Sequence, residues 1–215
     1  MDRTKDLYFP VMGRDFDKSD YLLIDLSEGN SQLPKFDSVD HMTIYLRQLV
    51  KPNFKLAYGG YLEIRNLYQS DLFLENGPIR NIHLGVDIWG KELLPIYSPL
   101  EGRVKSVAYN GEILDYGFTL IIEYSNNEHG SFHLLFGHLS HHIESMWKEG
   151  DLVKKGQHIG YFGRPHENGG WSPHLHLQMI KDFQNKKGDY PGVCSKVDFD
   201  HFKQNCPNPE QFIFP

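Results

Sequence analysis

From Tyr58-Gly59-Gly60 to about Lys181 the chain never sustains a helical period. It runs through short β-type segments, each closed by a cluster of Gly, Pro, Asn or Asp. Gly102 to Tyr109 (GRVKSVAY) reads as one strand, and Phe118 to Tyr124 (FTLIIEY) as a dense apolar one bounded by Gly117 and Ser125-Asn126-Asn127. Phe132 to Leu139 and Ile159 to Phe162 are two more. Strands this frequent, with turns between them, point to a mainly β fold of antiparallel sheets rather than alternating strand and helix units.

Ahead of this region, Met42, Tyr45, Leu46, Leu49 and Val50 fall at three- and four-residue steps between Ser38 and Val50, and Lys51-Pro52 stops the run. That spacing predicts one short amphipathic helix. The rest of residues 1–57 mixes charged clusters with short apolar runs such as Tyr21-Leu22-Leu23-Ile24, without a clear period, and reads as an irregular extension with room for one strand. Past Asn185 the composition turns to Lys, Gly, Asp and Pro, ending in the turn cluster Cys206-Pro207-Asn208-Pro209. Residues 186–215 are therefore expected to wrap the core as a tail, with residues 58–185 as the main domain.

A chain of 215 residues can bury a core without help from a disulfide or a structural metal. Its formal charge of -6, with no basic stripe, sets nucleic acid aside as a partner. No apolar run approaches the roughly 20 residues of a membrane span. Met1 to Pro10 is charged and lacks the apolar core and cleavage site of a secretory signal, so the expected location is the cytoplasm, or outside the cell had a leader been removed. Cys194 and Cys206 are too few for a disulfide scaffold and are read as free thiols, with a single tail disulfide as the alternative. The twelve histidines stand out, and their spacing decides what they mean.

One constellation is His83-Leu84-Gly85-Val86-Asp87, lying between Gly77-Pro78 and Gly90. In one extended strand, positions four apart share a face, so imidazole and carboxylate could meet at one ion, with Gly85 leaving the space between them open. Another is His174-Leu175-His176, whose rings share a face while Leu175 points away. His138, in Phe136-Gly137-His138-Leu139-Ser140, lies between the two along the chain. Two neutral imidazoles and one carboxylate are a catalytic zinc set that keeps a fourth position for water. Zinc lowers the pKa of such a water from about 15.7 toward about 7. If one histidine of the His174/His176 pair binds the metal, the other is within reach of that water, to take its proton or to donate to an oxyanion.

H-x-G-x-D, then G-H-L-S, then P-H-L-H together resemble the lysostaphin/LytM-type zinc metallopeptidases. The likeness extends through Ser98-Pro99-Leu100-Glu101-Gly102-Arg103-Val104 and Gly150 to Gln157, covering roughly residues 58 to 182. It implies antiparallel sheets with one Zn2+ in a groove. By the resemblance His83, Asp87 and His176 are the metal ligands, His138 and His174 hold the catalytic positions, and the substrate is a peptide or small amide, typically a peptide of the bacterial cell wall. Two departures stand out. Leu177-Gln178 follows the pair where relatives often carry Phe-Glu, and the loop Arg164 to Trp171 lacks the usual Ser/Thr-rich stretch. A narrower likeness, carried by Tyr58 to Arg65 followed by Tyr68, by Tyr190-Pro191-Gly192-Val193 and by Cys206-Pro207, is to the version of this domain fused to pyridoxal-phosphate aminotransferase-type enzymes. That version is intracellular, which implies a small cytoplasmic amide or peptide as substrate; the runner-up reading is a cytoplasmic zinc enzyme acting on a non-peptide small metabolite.

The remaining histidines read as ordinary. His41, His129, His158 and His201 are expected to be packed or solvated, as isolated histidines usually are. His133, five residues before His138, faces the opposite way in a regular strand, and His141 and His142 fall in a solvated turn. His166, in the loop leading to His174, is a candidate for substrate contact, and Trp171 for a groove wall. Two rival readings predict different residues. A non-catalytic binding module of this fold would lack ligands, and here the set is complete. A lipoyl-type carrier, suggested by Val153-Lys154-Lys155-Gly156-Gln157, leaves the His and Asp spacing unexplained. The H-E-x-x-H helix of the common zinc proteases is absent.

Overall fold

The computed structural model describes residues 7–34, 36, 38–49, 55–65, 78–184 and 186–215. Met1, Val50, the Lys51-Pro52 helix stop, Tyr68, Gly77 and Asn185 lie outside them. The strands are β1 (Tyr21–Leu23), β2 (Leu56–Gly59), β3 (Arg80–His83), β4 (Val86–Trp89), β5 (Pro95–Tyr97), β6 (Gly102–Asn110), β7 (Gly117–Asn126), β8 (Gly130–Leu139), β9 (Leu152–Val153), β10 (His158–Tyr161), β11 (His174–Ile180) and β12 (Val193–Ser195). Three short helices accompany them: α1 (Val39–Leu49), α2 (Ile143–Met146) and α3 (Phe199–Asn205). The expected mainly β, antiparallel architecture is what the chain forms, and α1 falls where the three- and four-residue steps put a helix. Among the described residues no helix is long and apolar enough to cross a membrane.

Eight strands make the main sheet in the order β1-β2-β4-β11-β8-β7-β6-β9, antiparallel throughout except for the parallel β1–β2 pair. β10 pairs with β5 and β12 with β3 in two small antiparallel sheets. The turn joining β7 to β8 follows from its residues. Asn126 Oδ1 accepts from the backbone N–H groups of Glu128 and His129 at 3.1 and 2.7 Å, and Gly130 takes the left-handed backbone that closes the turn.

Alternation along the strands sorts side chains onto two faces. One face is the large core: Val86 and Ile88 of β4, Leu175, Leu177 and Met179 of β11, Phe132, Leu134 and Phe136 of β8, Leu120 and Ile122 of β7. Tyr8, Val11 and Met12 from the amino-terminal segment and Phe212 and Ile213 from the tail close over it. At roughly 1.5–3 kcal/mol per fully buried aliphatic or aromatic side chain, this layer supplies most of the driving force for folding. The other face carries two smaller clusters. Ala57 and Trp89 pack with Leu26, Met42 and Leu46 near β2 and α1, while Ile121, Leu135 and Ile180 pack with Tyr116, Phe183, Tyr190 and the two buried, free cysteines Cys194 and Cys206. In strand order the candidate polar residues fall between these clusters.

Candidate metal centre

β4 and β11 fix the middle of the site. Their antiparallel register sets His176 directly opposite Asp87 and His174 opposite Trp89, and on the other side of β11 His176 faces Gly137 of β8. Asp87, His174 and His176 therefore stand on the face opposite Leu175 and Leu177. His83 arrives differently from the expectation of one continuous strand. The chain breaks at Leu84-Gly85, so His83 ends β3, which pairs with β12, while Asp87 belongs to β4 of the main sheet. The room left by Gly85 is filled by His176: a Cβ there would stand 2.6 Å from Leu177 O and 2.7 Å from His176 Cε1.

Three donor atoms meet as a result. His83 Nε2 is 3.0 Å from His176 Nδ1 and 3.3 Å from Asp87 Oδ1, and His176 Nδ1 is 3.1 Å from the same oxygen. All three residues are buried and form one metal-sized group. A tetrahedral ion with bonds of about 2.0–2.1 Å would set its ligand atoms about 3.3–3.4 Å apart, close to these separations. The tautomers fit as well. His83 Nδ1 is 2.9 Å from Gly60 O, and His176 Nε2 is 2.9 Å from Gln178 Oε1; each oxygen is an acceptor and so calls for N–H. The facing nitrogens are then both lone pairs, set beside a carboxylate oxygen. Such an arrangement is repulsive without a cation and suited to one, so the residues present fit a zinc ion.

His138 and His174 stand beside this group, their ring centroids 4.1 Å apart. His138 Nδ1 donates to Asn168 O at 2.9 Å and His174 Nδ1 to Ser172 O at 2.7 Å, which leaves Nε2 of each as the basic nitrogen. His174 Nε2 is 3.9 Å from Asp87 Oδ1. His138 reaches the site through a bulge. Phe118 and Leu120, two apart on β7, oppose Leu139 and Phe136, three apart on β8, so β8 carries one extra residue, and His138 takes a left-handed backbone with φ 60°. The reversal turns the His138 ring toward Tyr116 while Leu139 returns to the main core. His133 does not face away as a regular strand requires. Its ring stacks on Phe183, on the same face as His138.

Burial pushes the charged forms of these imidazoles down. His83 falls to about 4, through burial and the nearby Arg65 guanidinium. His138 is held well below the usual range by burial and by His174 and His176, and His174 is lowered chiefly by burial. Burial alone would raise the Asp87 carboxyl, yet the adjoining Arg65 guanidinium helps to hold it well below the ordinary carboxylate range. At neutral pH His83, His138 and His174 are thus neutral rings beside the Asp87 carboxylate, the protonation state that metal binding needs.

Other residues around the site were not singled out by spacing. Arg65 Nη1 lies 2.6 Å from Asp87 Oδ2, both side chains buried, and Arg65 Nε donates to Glu63 Oε2 at 2.9 Å. The sequence signal for this pair was two opposite charges at a two-residue step in the otherwise apolar Tyr61 to Ile64 stretch. Burial raises the Glu63 carboxyl, and the Arg65 charge opposes that rise. Gln178, noted as a departure, is the partner of His176, and its Nε2 in turn donates to Pro191 O at 3.1 Å and toward Cys206 Sγ at 3.3 Å. The Arg164 to Trp171 loop is pinned by Glu167, which accepts from the N–H groups of Arg164 and His141 and pairs with His141 Nδ1 at 2.6 Å. Trp171 lines the pocket over the site together with Met42, Leu114 and Tyr116; His166 is exposed and does not line it. His141 and His142 are exposed in the turn after β8, with His141 tethered to Glu167.

The family described as Peptidase family M23 matches residues 81–189, a span that includes all five polar residues of the site. Among solved structures the chain is similar to a zinc-containing peptidase from Vibrio cholerae, at 30% identity over 46% of this chain and 27% of that one, with a TM-score of 0.37. It is also similar to the catalytic domain of the prophage-encoded M23 protein EnpA from Enterococcus faecalis, at 24% identity over 62% of this chain and 85% of that one, with a TM-score of 0.41. A third similarity is to the catalytic domain of the antimicrobial peptidase lysostaphin from Staphylococcus simulans, at 20% identity over 75% of this chain and 97% of that one, with a TM-score of 0.42. The chain spans 27% of the length of the Vibrio cholerae protein. No match is found among curated proteins.

Proposed function

This chain belongs to peptidase family M23, and from that premise we propose that it is a zinc-dependent hydrolase that cleaves a peptide or similar amide bond. The observation that carries the reading is the convergence of His83 Nε2, Asp87 Oδ1 and His176 Nδ1 at 3.0 to 3.3 Å, with the second nitrogen of each ring already engaged by an oxygen. A zinc ion held there supplies Lewis acidity toward a water and a substrate carbonyl. The chain supplies the rest. His174 and His138, each with Nδ1–H fixed on a backbone carbonyl, offer Nε2 to the reacting groups. One of them takes the proton of the attacking water and returns it to the leaving amine. The other, once its Nε2 is protonated, donates a hydrogen bond to the oxygen on which negative charge develops, a task worth about 2.7–4 kcal/mol of barrier in comparable sites.

As substrate class we propose short peptides of the bacterial cell wall, on the strength of the family resemblance. The likeness of Tyr58 to Arg65 to the aminotransferase-fused version adds small cytoplasmic amides to what should be assayed. Four variants test the assignment of roles. His83→Ala and His176→Ala are expected to lose both zinc and turnover, whereas His138→Ala and His174→Ala keep zinc and lose turnover. Elemental analysis of the purified variants, with assays on muropeptides, glycine peptides and a metabolite panel, reads both. Equal zinc in all four variants would sink the assignment.

A further inference from the structure

We propose that Arg65 is a positioning residue that holds Asp87 by one oxygen, so that the carboxylate meets the cation through Oδ1 alone. The inference rests on the reading of His83, Asp87 and His176 as a zinc site and extends it to a residue outside the 81–189 span.

The geometry divides the two carboxylate oxygens. Oδ1 lies 3.1 Å from His176 Nδ1 and 3.3 Å from His83 Nε2, within the group of metal donors. Oδ2 lies 2.6 Å from Arg65 Nη1, the length of a charge-assisted bond. A carboxylate can bind a metal through one oxygen or through both. Binding through both would use another coordination position, the one that a three-ligand catalytic site keeps for water. With Oδ2 committed to the guanidinium, the single-oxygen mode is fixed before any ion arrives.

The guanidinium is itself fixed. Its Nε donates to Glu63 Oε2 at 2.9 Å, and Glu63 Oε1 accepts from Leu26 N–H at 3.3 Å, which ties the amino-terminal segment to the site. Arg65 also stands on the ladder that delivers His83: its N–H donates to Asn81 O and the His83 N–H donates to Glu63 O, each at 2.9 Å. Its guanidinium carbon lies 5.8 Å from the Trp89 ring centroid. Two carboxylates held by different nitrogens of one planar fork is a task for arginine; a lysine, with a single point charge on a flexible stem, cannot hold both in fixed directions. Glu63 offsets the charge that Arg65 would otherwise set against a bound dication.

The test uses the full chain, stripped of metal and reloaded, as wild type, Arg65→Gln and Arg65→Lys. Zn2+ affinity is read by competition with a chromogenic chelator, and coordination number by the visible absorption of the Co2+-loaded protein, which is strong for four-coordinate and weak for higher-coordinate sites. Arg65→Gln is expected to bind Zn2+ about 10–100-fold more weakly, the usual loss for a residue that orients a ligand. Its Co2+ spectrum should move toward that of a higher-coordinate ion. Arg65→Lys, which keeps the charge and is the fallback should the glutamine variant not fold, is expected to show the same spectral change. A folded variant with unchanged affinity and an unchanged Co2+ spectrum overturns the proposal. If wild type itself binds neither ion, the zinc reading has failed and this inference falls with it; if wild type binds and the variants match it, only the role of Arg65 has failed.

Discussion

His176 is held from behind by Gln178: the ring Nε2 lies 2.9 Å from the amide Oε1, two residues further along the same face of β11. The bond selects the tautomer in which Nδ1 carries the lone pair, and the Gln178 amide is itself anchored on Pro191 O. Gln178 can accept from the ring and donate to the carbonyl at once, because an amide carries both kinds of group.

Replacing Gln178 with Leu removes the acceptor at nearly the same volume. Zinc affinity is expected to drop about 10–100-fold, as is usual when the outer partner of a metal-binding histidine is lost. Chelator competition on the purified variant measures it, and an affinity equal to wild type would show that packing alone orients the ring.

His138 combines a side chain needed at the site with a backbone, φ 60°, that suits glycine better. His138→Ala and His138→Gly both delete the ring and leave almost the same space, but alanine keeps the steric cost of a Cβ in the left-handed region. The glycine variant is therefore expected to be the more stable of the two by about 1 kcal/mol. Urea unfolding of both in the absence of metal tests this, and equal midpoints with equal slopes would contradict it.

Glu167 makes the anchoring of its loop dependent on pH. Burial works to raise its carboxyl, but the N–H groups of Arg164 and His141 together with the His141 ring outweigh that and hold it at about 2, against an ordinary value of 4.5. A depressed carboxyl contributes its full stability above about pH 4.5 and loses it as the pH falls toward about 2. Glu167→Gln is thus expected to melt below wild type at pH 7, with the gap shrinking across that acid window. Thermal melts at pH 7, 4 and 3 follow the trend; a constant gap would mean that the carboxylate charge is irrelevant to the loop.

Local spacing carried much of the architecture. The dense apolar run Phe118 to Tyr124 and the strand-like Phe132 to Leu139, set off by turn residues, marked β7 and β8, and the three- and four-residue steps of Met42, Tyr45, Leu46 and Leu49 marked α1; side-chain direction repeats every two residues in a strand and every 3.6 in a helix. His174-Leu175-His176 was readable for the same reason: both rings share a face of one strand. His83 and Asp87 do come together, but not along one strand as their spacing suggests, since the chain breaks between them at Leu84-Gly85 and each sits in its own sheet.

What the sequence determined by itself is what nearest neighbours decide: which segments are strands, where they turn, and which residue types recur at ligand spacing. What only the tertiary structure decided is the register that sets His176 opposite Asp87, the extra residue in β8 that turns His138 onto the site, and the contact of Arg65 with a carboxylate 22 positions away. Each of these is a hydrogen-bonding or ion-pair choice between residues well separated along the chain. Their free energy depends on the partner strand and not on local preference, so no window of sequence contains it.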